Sequence, residues 1–179
     1  MTDALVIVDF QNDFTPGGAL AVPRGDEIAG RIQELLDSGR FSFVVATRDW
    51  HPPDHGSFRE EGGIWPPHCV QHTEGAELHA SLDTSRVDAV VDKGIDPTID
   101  GYSGFEATEL ERLLREHDVD RVTLVGLATD YCVRHTALDA LAAGFEVTVD
   151  RAGVRGIETQ LGDVEQTFAE LTEAGATVA

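Results

Sequence analysis

The chain has 179 residues, 41% of them hydrophobic, and a formal net charge of -20 at pH 7 from 33 acidic and 13 basic side chains. This length and composition predict one soluble globular domain, spanning 1–179, with a sizeable core. The negative charge excludes a nucleic-acid-binding protein, which needs a basic surface, and no apolar run approaches the ~18 residues that a membrane span requires.

The first half of the chain predicts two strands, one helix and a long loop. The run ALVIVDF (4–10) is apolar throughout, which is typical of a buried parallel strand. Residues 27–39 carry apolar side chains at helical spacing and end at Gly39, and FSFVVATRD (41–49) is a second strand. Residues 50–80 form a loop rich in proline, glycine and histidine, and its length and content indicate a functional loop.

The second half continues the alternation of strands and helices. A third strand is predicted at 87–94, and Thr129 or Asp130 is expected to be the N-cap of a later helix. The last helix leads through Gly175 to the terminal ATVA. The remaining predicted elements are a helix at 106–118, a strand at 120–126, a helix at 128–144, a strand at 145–153 and a helix at 158–174.

This order of elements predicts a Rossmann-like, three-layer α/β/α sandwich with a mostly parallel sheet of six strands. Ligands of such sheets bind beyond the carboxyl ends of the strands. The residues expected at that rim are Asp9, Asp49, Lys93 and the segment that leads into Cys132. Residues far apart in sequence are therefore expected to form one site.

The acidic surface has two interpretations. One is an ordinary solvated surface, and the other is adaptation to high salt, where counter-ions screen the repulsion between carboxylates. A single lysine among 13 basic residues favours salt adaptation. Unfolding followed as a function of KCl concentration tests it, because full stability at low salt would count against salt adaptation.

The N-terminus and the cysteines indicate a cytoplasmic protein. The opening MTDALVIVDF is acidic and leads directly into a strand, unlike a signal peptide. Two cysteines, Cys69 and Cys132, make a disulfide framework an unfavoured interpretation.

Cys132 is the candidate nucleophile. It lies in the first turn of a predicted helix directly after a strand, where free N–H groups favour a thiolate and could also hold an oxyanion. A lone helical cysteine is more often a small buried side chain, and Cys69 is interpreted in that way. Asp9, at the end of a buried strand, should have a raised pKa that suits a proton acceptor.

Lys93 stands out because it is the only lysine in the sequence. A lysine at the end of a strand usually extends to the surface. Where every other basic residue is arginine, its retention indicates a need for a compact point charge. We expect its ammonium group to stabilise the Cys132 thiolate and to keep Asp9 ionised.

A cluster of potential metal ligands follows the second strand. The segment RDWHPPDHGSF supplies Asp49, His51 and His55, and WPPHCV supplies His68. Alternate positions of an extended segment put Asp49 and His51 on one side. Two histidines and one carboxylate with open positions suit Zn²⁺, Fe²⁺ or Mn²⁺. The alternative is a set of exposed histidines without a shared role, and His55 could be a fourth ligand, a ligand through water or a gate.

These residues, with the motifs DFQNDF, DWHPPDH, WPPHCV, YSGF and GLATDYCVRHTALDAL, resemble the nicotinamidases (pyrazinamidases) of the isochorismatase-like cysteine hydrolases. The resemblance covers nearly the whole chain. It implies a triad of Cys132, Asp9 and Lys93 that hydrolyses nicotinamide, and also pyrazinamide, to the acid and ammonia through a thioester, as a step of NAD salvage. Its only implied partner is this small substrate, and a monomer and a homo-oligomer both remain open.

The resemblance also assigns the remaining site residues. N–H groups of Ala128 and Cys132 would hold the oxyanion, beside a cis peptide bond between Leu127 and Ala128. Asp49, His51 and His68 would bind one divalent metal ion, with zinc first and iron or manganese as alternatives, and the metal would meet the pyridine nitrogen. The aromatic residues implied around the ring are Phe14 and Trp65, with Tyr102 and Tyr131 nearby.

Three alternative functions compete with this one. An iron oxygenase would use the same two histidines and carboxylate, but it would leave Cys132 and Lys93 without a role. A catalytically inactive ligand-binding relative is disfavoured by the intact triad and metal set. Another amidase of the same superfamily is the closest competitor, and the metal set with the two aromatic residues favours a pyridine or pyrazine carboxamide.

Overall fold

Six parallel strands form one sheet in the computed structural model, which describes residues 1–179. Hydrogen bonding gives the strand order β3-β2-β1-β4-β5-β6, and every neighbouring pair is parallel. This order is that of the Rossmann fold. The strands are β1 (Thr2–Val8), β2 (Phe43–Asp49), β3 (Ala89–Lys93), β4 (Val119–Leu127), β5 (Glu146–Arg155) and β6 (Thr177–Val178).

Helices cover both faces of the sheet, so the predicted three-layer sandwich is confirmed. One face packs on α1 through Ile32, Leu35 and Leu36, whose helical spacing produced the prediction. The other face packs on α2, α3 and α4 in a second core cluster. The helices are α1 (Ala29–Asp37), α2 (Leu110–Glu116), α3 (Arg134–Ala142) and α4 (Asp163–Ala174). None of them has the length and apolar composition of a membrane span.

Two helices begin later than their patterns predict. Ala107 has a left-handed φ of 54°, and the Thr108 hydroxyl donates to Gly104 O, so residues before Leu110 form a turn. Glu158 and Gly162 have φ values of 55° and 98°, which delay the start of α4. Residues other than glycine rarely adopt this left-handed backbone conformation, and a right-handed helix cannot contain it.

The predicted N-cap of the helix after β4 is wrong. The chain first makes a π-helical turn, Thr129–Val133, and α3 starts only at Arg134. The Thr129 hydroxyl is buried without a hydrogen-bond partner. The Asp130 carboxylate bonds instead to backbone amides of the segment between β5 and α4. The cap was mispredicted because these amides are brought to Asp130 only by the tertiary fold.

The order of the strands indicates where the site lies. The direction in which successive strands are added reverses between β1 and β4, and open α/β sheets bind ligands in the crevice at such a reversal. Asp9 follows β1, and Cys132 lies in the turn that follows β4.

Candidate active site

Four buried polar side chains meet at the carboxyl ends of the strands. Asp49 and Lys93 are the last residues of β2 and β3 and are direct partners in the sheet register. Asp9 has a left-handed φ of 46°, an unfavourable conformation that concentrates at functional sites. Asp9, Asp49, Lys93 and Cys132 are each at most 6% exposed. The sheet therefore brings these four predicted site residues together.

The Lys93 ammonium has three hydrogen-bond acceptors for its three N–H groups. Its Nζ lies 2.5 Å from Asp49 Oδ1, 2.7 Å from the Gly101 carbonyl and 3.5 Å from Cys132 Sγ. Asp9 Oδ2 lies 2.8 Å from the same nitrogen and forms an ion pair with it. Burial at 1% exposure is tolerable for an ammonium group only with such compensation.

The two oxygens of Asp9 have different partners. Thr47 Oγ1 donates to Asp9 Oδ1 at 2.7 Å, whereas Oδ2 faces the Lys93 ammonium group at 2.8 Å. Asp9 and Cys132 each have a ligand-type atom within 4.8 Å of the other. The Asp9 carboxylate is thus close enough to the thiol to receive its proton. Thr47 was missed by sequence analysis, although a threonine within the buried run FVVAT was the available signal.

Burial and charge set the protonation of this group. Burial lowers the pKa of Lys93, but Asp49 and Asp9 outweigh it and hold that pKa well above its ordinary value. Burial raises the pKa of Asp9, as expected from its position, and Lys93 opposes this. Burial also raises the pKa of the Cys132 thiol well above the ordinary value, against the effect of Lys93. Burial therefore opposes the thiolate that Lys93 favours, so the Cys132 thiol needs a proton acceptor beside it.

Three side chains can hold a metal ion beside this group. Ligand atoms of Asp49, His51 and His68 lie within 4.8 Å of one another, and all three residues are buried. Asp49 Oδ2 is 3.3 Å from His51 Nε2 and 3.8 Å from His68 Nε2. Asp49 thus turns one oxygen to Lys93 and the other to the two histidines.

The backbone orients both histidines as ligands. His51 Nδ1 donates to Gly94 O and His68 Nδ1 donates to Pro66 O, each at 2.8 Å. Each Nε2 lone pair is then directed at the shared site, as in metal-binding histidines generally. Gly94 must be glycine, because its φ is 63° and a Cβ would lie 2.4 Å from the His51 ring. The donor set fits a borderline divalent ion such as zinc.

His55 lies outside this set of ligand atoms. Its Nε2 donates to Ile99 O at 2.9 Å, and its Nδ1 accepts from Ser57 Oγ at 2.7 Å. Its ring lies against that of His51, with centroids 4.0 Å apart. With both nitrogens bound to protein groups, His55 supports the position of His51, and it has no free lone pair for a fourth bond to a metal.

Gln11 is a further residue that sequence analysis missed. Its side chain donates to Asp49 O and accepts from Asp49 N, both at 2.8 Å, and it also donates to Ala76 O. Gln11 therefore fixes the backbone of a metal-ligand candidate. Its place between Asp9 and Phe14 in DFQNDF was the only signal.

A narrow cavity opens over Cys132 and the metal-ligand candidates. Phe14, Trp65, Tyr102 and Tyr131 all line it, together with Ala128. Trp65 Nε1 donates to the Tyr102 hydroxyl at 2.9 Å, and the Trp65 and Tyr131 rings meet edge to face. The walls are apolar and aromatic, which suits a flat ring. The Leu127–Ala128 peptide bond is cis. The Ala128 N–H donates to no other group of the protein.

Comparisons with known proteins agree on one family. The family model for the isochorismatase domain matches residues 3–179. A nicotinamidase of Escherichia coli is 43% identical, with 98% of this chain and 93% of that protein covered. A pyrazinamidase of Pyrococcus horikoshii, solved in complex with zinc, is 46% identical with a TM-score of 0.91, covering 100% of this chain and 99% of its own. PnC1 of L. infantum, solved in complex with nicotinate, is 40% identical with a TM-score of 0.94, and the match covers 99% of this chain and 92% of that one.

Proposed function

Because the chain belongs to the isochorismatase family, we propose that it is a nicotinamidase, which hydrolyses nicotinamide to nicotinate and ammonia and accepts pyrazinamide as well. The chain is a hydrolase built on Cys132, Asp9 and Lys93, with a divalent metal ion beside them. One observation carries this function best: Lys93 contacts Cys132, Asp9 and Asp49 at once. A nucleophile, a proton acceptor and a metal-ligand set thus share one cavity.

The first half of the reaction begins with proton transfer from the Cys132 thiol to the Asp9 carboxylate, whose Oδ1 is held by the Thr47 hydroxyl. Sγ bonds to the carboxamide carbon, and the N–H groups of Ala128 and Cys132 stabilise the oxyanion. Asp9 then gives its proton to the amide nitrogen as the C–N bond breaks. Ammonia leaves, and a thioester remains on Cys132.

The second half returns the enzyme to its resting state. Asp9 takes a proton from a water molecule while the water oxygen bonds to the thioester carbon. The C–S bond breaks, nicotinate leaves, and the proton returns from Asp9 to the sulfur. Because burial raises the pKa of Asp9, its carboxylate binds a proton more readily than an exposed one, and the same group serves both steps.

Lys93 stabilises the anions that appear in turn. When the Cys132 proton moves to Asp9, the 3.5 Å contact from Nζ to Sγ becomes a charge-assisted hydrogen bond to a thiolate. The bond to Gly101 O keeps the ammonium group in place during this change. The high pKa of Lys93 keeps it protonated throughout.

The aromatic cavity orients the ring of the substrate. Phe14, Trp65, Tyr102 and Tyr131 supply flat apolar walls, and a pyridine or pyrazine ring matches them in shape. When bound by Asp49, His51 and His68, a zinc ion supplies an open coordination position that suits a neutral ring nitrogen. This requirement favours a pyridine carboxamide over an aliphatic one.

Metal removal should abolish ammonia release from nicotinamide. Protein treated with a chelator and then freed of it is expected to lose at least about 10²-fold in kcat/KM, since a misplaced ring loses its alignment with Cys132. Zinc should restore the activity, and iron and manganese added separately show which ions serve. Ammonia is measured by a coupled assay, with circular dichroism as the control for folding. Full activity in protein shown by elemental measurement to be metal-free would exclude this role of Asp49, His51 and His68.

The cellular context is part of the same proposal. Nicotinate release would place the reaction in NAD salvage, and two free cysteines accord with the reducing cytoplasm. A knockout strain that depends on nicotinamide for NAD tests this role. Failure of the gene to restore its growth would count against it.

A further inference from the structure

The segment 156–162, between β5 and α4, forms one wall of the cavity through Ile157. Ile157 is half-buried and packs against the core cluster that contains Phe14, Leu127 and Ala128. The position of this wall therefore depends on what holds a short connecting segment in place.

Asp130 holds that segment through both carboxylate oxygens. Oδ1 accepts from Ile157 N at 3.0 Å, and Oδ2 accepts from Glu158 N at 2.7 Å. The only other hydrogen bond from 156–162 to a distant part of the chain joins Thr159 and Tyr131 hydroxyls at 3.4 Å. The remaining ones are local: Gln160 N donates to Asp163, Gly162 N donates to Glu158, and the carbonyls of Gln160 and Gly162 accept from amides at the start of α4. Asp130 is thus the main polar attachment of the wall.

The segment is also held in an unfavourable conformation and at close range. Glu158 has a left-handed φ of 55°, which a free segment would avoid. A Cβ on Gly156 would lie 3.1 Å from Asp130 Oδ1 and 2.2 Å from Val164 Cγ2. The backbone therefore lies directly on the Asp130 carboxylate, and the paired hydrogen bonds help to compensate the conformation of Glu158.

We propose that Asp130 is a positioning residue that holds Ile157 against the cavity, and that Ile157 limits the size of ring substituents that the site accepts. This inference rests on the proposed function. Asp130 lies in the same π-helical turn as Cys132, two residues before it. One rigid turn thus fixes both the nucleophile and the wall that faces the ring, so unsubstituted rings are aligned and larger ones are excluded.

The test compares nicotinamide with a panel of nicotinamides that carry one methyl group at ring position 4, 5 or 6. The quantity compared is the kcat/KM of a methylated nicotinamide divided by that of nicotinamide. In the zinc-loaded protein, Ile157→Ala should raise this ratio by about 10-fold or more for at least one ring position, because one methyl group in a fitted pocket has an effect of this size. Asp130→Ala should raise the same ratio, with KM for nicotinamide rising more than kcat falls. The double variant should gain no more than the larger single change, because both act on one contact.

Two variants separate positioning from general damage. Asp130→Asn keeps one acceptor oxygen and should give an intermediate ratio, which preserves the test if Asp130→Ala does not fold. Asp163→Asn changes another carboxylate that bonds an amide of the same segment, but one local to α4, and it should leave the ratio unchanged. A uniform loss of kcat in Asp130→Ala and Asp130→Asn, with an unchanged ratio, would overturn the proposal, as would an unchanged ratio in Ile157→Ala.

Binding measurements distinguish this inference from the proposed function. Calorimetry on zinc-loaded Cys132→Ala protein gives affinities for nicotinamide and the methylated panel without turnover. If the unmodified enzyme releases no ammonia but the affinity ratios shift in the Ile157 and Asp130 variants, the proposed reaction is wrong and the proposed role of Ile157 and Asp130 is supported. If ammonia is released but neither the kcat/KM ratio nor the affinity ratio shifts, the proposed reaction is supported and the role of Ile157 and Asp130 is wrong.

Discussion

Replacement of Cys132 by alanine is expected to reduce ammonia release from nicotinamide by at least about 10⁴-fold, because no other group can form the covalent bond that divides the reaction into two steps. The loss of folding stability should be small, since the side chain loses only its sulfur atom at a position that already lines the cavity. The circular dichroism spectrum and zinc content should match those of the unmodified protein.

A second measurement follows the thioester itself. In the presence of hydroxylamine, the unmodified enzyme should convert nicotinamide to nicotinohydroxamate, because hydroxylamine competes with water for the acyl group on the Cys132 sulfur. Cys132→Ala should form none.

Cys69→Ala is the matched control for this variant. Cys69 is the other free cysteine and is fully buried, and its thiol has no part in the proposed reaction. This variant should keep activity within about threefold while losing some stability through a small cavity. More than a tenth of normal activity in Cys132→Ala would exclude the covalent mechanism.

Replacement of Lys93 by arginine should lower kcat/KM for nicotinamide by about 10²–10³-fold, although the charge is kept. Nζ donates to Asp49, Gly101 and Cys132 with its three N–H groups, in a site that leaves the side chain fully buried. A planar guanidinium group is larger and donates in a fixed fork, so it cannot reach all three acceptors from this position. Misplacing the positive charge by about 1 Å, or losing one stabilising donor, costs this much in rate.

The Lys93 variant has a clear control and a clear contrary outcome. Arg112→Lys exchanges the same two residue types at an exposed helical position, where Arg112 pairs with Glu109 and Glu116, and it should leave activity unchanged. Thermal unfolding shows whether Lys93→Arg folds, and Lys93→Gln, which is closer in volume, serves as a second variant. Near-normal kcat/KM in folded Lys93→Arg would show that a compact ammonium group is not required.

Asp49 connects these two predictions, because it serves both the ammonium group and the metal-ligand set. Burial raises its pKa, but Lys93 and His51 outweigh burial and keep the pKa well below the ordinary value. Asp49 therefore stays ionised, with one oxygen on Lys93 and the other facing the histidines. A change at Lys93 is thus expected to disturb the metal as well as the nucleophile, and zinc content should be measured in each Lys93 variant.

The amino-acid sequence by itself determined the layers of this fold and the residues that approach one another at its rim. Apolar runs such as ALVIVDF are long enough only for strands buried on both faces, and their alternation with helical periodicity requires helices on both sides of a parallel sheet. Because parallel strands end at one edge, Asp9, Asp49, Lys93 and Cys132 could be assigned to one site from their positions in the chain. The sole lysine was informative for the same reason, since it stands at the end of a strand.

Only the tertiary structure decided the contacts that depend on where distant segments meet. Asp130 was expected to cap its own helix, but the fold brings the amides of Ile157 and Glu158 to its carboxylate. The helix start was expected to favour a thiolate at Cys132, but burial raises the pKa of the thiol, and the nearby Asp9 and Asp49 add to this effect. Local sequence reports the groups that a residue can bond to within one turn, whereas burial and long-range hydrogen bonds arise from packing between segments that no local pattern specifies.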